Sequence, residues 1–159
     1  MCLIIDNDAR DRVFFNPDDR DFQDLHSCLI GDGLPAVRIV YGGELRREYL
    51  KRPRVMKQLV ELDRKGRARA VSDALVDEES AALRASGLCR SNDVHVIALA
   101  RVGRVGLLCT CDNDLMRDFK TKELIDKPRG KVYNRKSHKE LLREFCVSLG
   151  PSGARRRHQ

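Results

Sequence analysis

The chain has 159 residues, 42% hydrophobic and 35% charged, with a formal net charge of +7 and a pI near 9.3; this suits one domain with its own core and excludes a chain disordered throughout. No apolar run approaches the roughly 20 residues that span a bilayer, and MCLIID meets an acid too soon for a signal peptide, so the expected location is cytoplasmic, with no membrane partner. Six scattered cysteines read as reduced thiols rather than a disulfide framework, and the basic balance favours a polyanionic partner, although 5% aromatics and no Trp leave no stacking platform for bases.

Residues 2–5, CLII, form a short apolar run that stops at Asp6, as a buried strand does on surfacing at its carboxyl end. Phe22, Leu25, Cys28 and Leu29 recur at helical spacing over 19–30, and GDG at 31–33 closes that helix. AVRIVY at 36–41 reads as a strand, followed by GGELRREYLK, a helix with Leu45, Tyr49 and Leu50 facing inward. Pro53 bends or ends that helix, and VMKQLVELDRKG is a second one stopped by Gly66. ARAVS at 68–72 is a third strand candidate. DALVDEESAALRASG is a helix with Asp73 at its N-cap and Gly87 at its end, and SNDVHVIALARVG repeats the grammar with Ser91 as N-cap.

VGLLCT, 105–110, has the clearest strand character in the chain. Beyond it cations dominate: Lys120, Lys122, Lys127, Arg129 and Lys131, then Arg135, Lys136 and Lys139. SHKELLREFCVSL is a final helix with Leu141, Leu142, Phe145 and Cys146 on its apolar side. Residues 1–149 thus form one domain without repeats, and 150–159, GPSGARRRHQ, read as a disordered basic tail.

Strands alternating with helices predict a three-layer α/β/α fold with a central, mostly parallel, twisted sheet, in which ligands bind where the carboxyl ends of the strands emerge. Acids stand there. Asp6 follows the first strand, Asp112 follows the clearest one, and Asp93 lies in the first turn of the helix between them, where a negative charge is favoured. Glu44 and Glu48 share a face of the helix after RIVY. Taken singly, Asp6 and Asp112 also read as caps or turn residues, and Glu44 as a complement to the helix dipole. Gathered at one edge they would repel and raise one another's pKa until a cation neutralised them. An all-oxygen set suits Mg2+ or Mn2+; Cys109 and Cys111, without a second thiol or imidazole pair, read as strand packing rather than zinc ligands.

Three segments in this order, LIIDND, SNDVHVIALA and LLCTCDNDL, with βα units between them, make residues 2–147 resemble the PIN-domain ribonucleases, the group that includes VapC-type toxins. The resemblance implies a PIN-like fold with Asp6, Asp93 and Asp112 as metal-binding carboxylates, Asp114 as a helper, Thr110 as a polar residue at the site, and Glu48 as the acid of the second helix, with Glu44 as its rival. It also implies a Mg2+- or Mn2+-dependent endoribonuclease, in which cations held by Asp6, Glu48, Asp93 and Asp112 acidify a water and offset transition-state charge. Arg46, Arg47, Lys51 and Arg52, with the basic stretch after residue 120, would grip substrate phosphates on either side of the metals. RNA is the implied substrate, with DNA as a variant. An antitoxin or other regulatory protein is the implied partner, and a homodimer is compatible.

Two features depart from the family pattern: Asp8 stands where Asn or Ser is common, and residues 51–65 add a helix. His95, between Val94 and Val96, reads as a packed helix residue rather than a general base. No G-x-S-x-G element or P-loop is present. Two other classes stay open. DND at 6–8 and CDND at 111–114 mimic motifs of haloacid-dehalogenase-like phosphatases that use an Asp nucleophile, although Arg10 replaces the expected small residue and no lysine motif precedes the last strand. The other is a PIN-like module that binds nucleic acid without cutting it.

Overall fold

The computed structural model describes residues 2–147, with only the backbone of 144–147. The expected basic tail and the side chains of Phe145 and Cys146 lie outside the described residues. Five parallel strands, β1 (Cys2–Ile5), β2 (Arg38–Tyr41), β3 (Ala68–Ala70), β4 (Leu107–Cys109) and β5 (Lys131–Tyr133), are ordered β3-β2-β1-β4-β5. The described helices are α1 (Asn7–Phe15), α2 (Gln23–Leu29), α3 (Gly43–Leu50), α4 (Pro53–Arg64), α5 (Asp73–Ser86), α6 (Val94–Gly103), α7 (Asn113–Lys120) and α8 (Glu140–Val147), the last preceded by a 3-10 turn over Lys136–Lys139. The fold is the expected three-layer α/β/α sandwich. Among the described residues no helix is long and apolar enough to cross a membrane.

Position in the sheet explains the composition of each strand. β1 is central, and Leu3, Ile4 and Ile5 are fully buried beneath helices on both faces, so the strand reads as an unbroken apolar run rather than an alternation. Its register sets Leu3 against Ile39, Ile4 against Leu108 and Ile5 against Cys109. The chain proceeds from β1 to β2 and β3 on one side, then returns to place β4 and β5 on the other. That reversal opens a crevice at the carboxyl ends of β1 and β4. Helix α6 is apolar all round, with Val94 through Ala100 buried, as befits a helix enclosed by its neighbours. Tyr49 of α3 donates its hydroxyl to the Ile5 carbonyl and so ties α3 to the last residue of β1.

Several boundaries differ from expectation. The strands at 36–41, 68–72 and 105–110 shorten to β2, β3 and β4, and the helix at 19–30 begins only at Gln23. Pro53 opens α4, where its missing N–H is no loss, and Leu50, expected inward, is 40% exposed. Ser72, not Asp73, caps α5, because the Asp73 carboxylate instead accepts from the Gly43 N–H (2.8 Å) and pairs with Arg46. Asp93, not Ser91, is the N-cap of α6; Ser91 Oγ accepts from the Asp93 N–H (3.0 Å) in a local turn. Helices α1 and α7 and strand β5 were not anticipated.

Candidate active site at the carboxyl edge of the sheet

Residues leaving β1 and β4 meet in the crevice. Asp6 is the first residue past β1, and its N–H still donates to the Cys109 carbonyl (2.9 Å), so strand pairing fixes where it stands. Its carboxylate caps α1 through the Asn7 N–H (2.8 Å), while its other oxygen accepts from the Thr110 hydroxyl (2.9 Å). Asp8 accepts from the Cys111 N–H (3.1 Å) and lies 3.3 Å from the same hydroxyl. Asp112 caps α7 through the Leu115 N–H (3.0 Å), and its own N–H donates to Thr110 Oγ1 (3.1 Å). Fully buried Thr110 is therefore the hub joining Asp6, Asp8 and Asp112. Asp6 and Asp112 are both caps, as read singly, and both stand at the crevice.

Asp93 is placed by a neighbour that the sequence reading passed over. Asp118, on α7 and only 2% exposed, accepts the N–H groups of Arg90 (3.0 Å) and Ser91 (2.8 Å). One helix thus presents Asp112 at its start and clamps the segment that leads into Asp93.

Burial is the largest influence on Asp6 and pushes its pKa up to about 7; the negative charges of Asp8 and then Asp93 add to it, while hydrogen bonds from Thr110 and Asn7 oppose it. Asp93 is also raised, first by burial and then by Asp112, Asp8 and Glu44, with His95 opposing. Acids distant in sequence therefore lie within electrostatic reach of one another. The N-termini of α1, α6 and α7 share this edge and favour negative charge there.

Glu44 and Glu48 both reach the cluster's flank. Helix α3 starts at Gly43, whose φ of 59° is left-handed and where a Cβ would strike Val76 of α5. His95, its side chain 5% exposed, sits between the two acids: Nδ1 is 3.6 Å from Glu44 and Nε2 is 3.6 Å from Glu48. That Nε2 is buried without a hydrogen-bond partner. Glu48 also accepts from Asn7 Nδ2, and Asn7 Oδ1 accepts from Arg10 Nη1 (2.6 Å), which links Glu48 to the residue beside Asp6. Glu44 turns instead toward Arg84 of α5 (3.5 Å). His95 is packed in its helix, as expected, yet it also faces the site.

The other candidates scatter. Asp114 is exposed in the first turn of α7, without a hydrogen bond or ion pair among the described residues. Arg46 pairs with Asp73 (2.8 Å), Arg47 with Asp77 (2.9 Å) and Arg52 with Asp11 (3.2 Å), which leaves Lys51 as the exposed cation of the four with no ion pair among the described residues. Lys120, Arg129 and Lys131 were expected to flank the metals; they lie instead toward the amino edge, since Lys131 starts β5 opposite Leu107, the first residue of β4, and Lys120 ends α7. Cys109 is fully buried opposite Ile5, and exposed Cys111 lies 3.8 Å from Arg12.

The donor set at the crevice is carboxylate oxygen, raised in pKa at Asp6 and Asp93 first by burial and then by neighbouring carboxylates, and this chemistry fits a hard divalent cation. Among the described residues, no three or more His, Cys, Asp or Glu side chains are drawn close enough to hold an ion as they stand. Asn7 and Asp118 are participants that the sequence reading passed over, while Asp8 stood out there only as a departure from the family pattern and His95 only as a packed helix residue. Asp118 did leave a signal: it shares the apolar face of Leu115 and Phe119, where an unpaired acid has no place. Compared with known protein families, with curated proteins and with solved structures, the chain matches none.

Proposed function

We propose that this protein is a Mg2+- or Mn2+-dependent endoribonuclease of PIN type, acting in the cytoplasm on RNA phosphodiester bonds. The observation that carries the reading is the gathering of Asp6, Asp93 and Asp112 at the switch point, with Asp6 and Asp93 both raised in pKa by burial and by neighbouring carboxylates. A phosphodiester would be repelled from this cluster unless cations intervened. The choice of RNA over DNA, and of an antitoxin or similar regulatory protein as partner, rests on the three PIN-like segments.

Asp6, Asp93 and Asp112, with Glu48, are the residues that would hold the cation. When bound, it would offset charge developing on the phosphate and acidify a water for attack. The chain's own groups do the rest. Thr110 fixes the Asp6 carboxylate through one hydroxyl while accepting the Asp112 N–H, so the two acids keep a set spacing. Asn7 and Arg10 orient Glu48, and His95 packs between Glu44 and Glu48. Lys51, without an ion pair among the described residues, is the cation at α3's end available to a phosphate. No side-chain nucleophile is needed, and Cys111 is a poor one: though the residue is exposed, partial desolvation of its thiol and then Asp8 push its pKa up, away from the thiolate.

The test incubates purified protein with labelled single-stranded RNA and, in parallel, single-stranded DNA of the same sequence, with Mn2+ or EDTA. The wild type should cut RNA only with the metal, and Asp6→Asn and Asp112→Asn should not. Equal cutting by wild type and variants would assign the activity to a contaminant. Turnover of a small phosphoester without RNA cleavage would move the site to the phosphatase class.

A further inference from the structure

Away from the carboxylates, along the outer edge of β5, lies a cleft of about 590 Å3. Lys120, Arg129 and Lys131 line it, and none of the three makes an ion pair among the described residues. Among the described residues Glu140 is the one acid in its lining. Gly130 brings the cations together: it abuts the Phe119 carbonyl so closely that any Cβ would collide, which sets Arg129 and Lys131 against the C-terminus of α7, where Lys120 stands. His138, also in the wall, is pushed down in pKa by burial and then by Arg135 and Lys120, a further sign of positive surroundings.

The cleft also carries the means to hold a base. Val132 and Leu141 provide apolar surface in its lining. Lys131 sends its N–H inward to the Gly106 carbonyl (2.8 Å), so the alternation of a parallel ladder turns the N–H and C=O of Val132 outward at the sheet's edge. The volume falls in the range of small-ligand sites.

We propose that this cleft binds phosphate-bearing nucleotides, supplied free or within an RNA strand, with Lys120, Arg129 and Lys131 on the phosphates and the Val132 edge beneath the base. The site is separate from the carboxylate edge and does not depend on catalysis there.

Binding is measured on the full chain in EDTA, by fluorescence anisotropy with a short labelled single-stranded RNA and by titration calorimetry with AMP. The Arg129→Ala/Lys131→Ala double variant is compared with Lys57→Ala/Lys65→Ala, which removes the same charge from exposed positions on and just after α4; circular dichroism confirms that both remain folded. The cleft variant should lose roughly tenfold or more in affinity and reduce the salt slope for RNA by about 1.4, while the control changes little. Loss of AMP binding in the cleft variant identifies free nucleotide as a ligand; loss for RNA alone identifies the strand. Equal losses in both variants, no binding of either probe at low salt, or equal competition by a poly-glutamate peptide would overturn the proposal.

Discussion

Replacing Asp6 by Asn should make the metal-free protein more stable at alkaline pH. The carboxyl is 5% exposed and titrates near 7 in the folded chain against 3.8 as its ordinary value. The folded form therefore keeps a proton that the unfolded chain has already lost between those limits, so stability falls as pH rises through the window and the loss is complete above it. The interval from 3.8 to about 7, at about 1.36 kcal/mol per pH unit, comes to roughly 4 kcal/mol. Asn keeps the shape and an acceptor for the cap, yet removes both the burial penalty and the repulsion from Asp8 and Asp93. In EDTA the two proteins should melt together near pH 4 and separate as pH rises, reaching roughly 10 °C by pH 8 in a domain of this size. Added Mn2+ should raise the wild type toward the variant and leave the variant nearly unmoved. A gap that stays constant with pH would refute the assignment of a buried, mutually repelled carboxylate.

Asp112→Asn should retain its cap on α7, with stability changed by less than about 1 kcal/mol, because Asn caps as well as Asp; Mn2+-dependent cleavage should fall by about a hundredfold or more, measured on labelled RNA. Asp118→Ala strips the acceptor from the Arg90 and Ser91 N–H groups and should cost roughly 3 kcal/mol in urea denaturation, with Asp118→Asn recovering part of it. Tyr49→Phe leaves the Ile5 carbonyl without the hydroxyl that reaches it from α3, and should cost about 1 to 3 kcal/mol by the same measurement.

What could be read from the sequence was whatever made a long or pure pattern. β1 reads as a strand because it is apolar throughout, and α6 reads as a helix because its buried run lies between a turn and Gly103. Helix α1 escaped because its inner face includes Arg10, a buried cation over the Tyr49 ring, which breaks the apolar period. Helix α7 escaped because its eight residues carry an amide and an acid, Asn113 and Asp114, at the start and a buried acid, Asp118, inside. Strand β5 offers only Val132 and Tyr133 as buried residues amid cations. The acids at strand ends were legible from position alone. Their partners were not: Thr110 as a hub, Asn7 as the link to Glu48, and His95 between two glutamates all arise from which elements the sheet order sets side by side. Glu44 and Glu48 could not be told apart by spacing, since both face His95; the bond from Asn7 is what distinguishes Glu48.

The hydrogen bond between Thr110 and Asp6 spans 104 positions of the chain, and this bears on when the protein can begin to act. During synthesis β1 gains β2 as a neighbour early, but its other edge stays bare until β4 has emerged. A ribosome-bound or prematurely ended chain that stops short of Thr110 holds Asp6 without its hub, and one that stops short of Asp118 holds Asp93 without its clamp. Any chemistry that these acids confer is thus withheld from the nascent polypeptide until translation has passed Asp118, a delay written into the strand order itself.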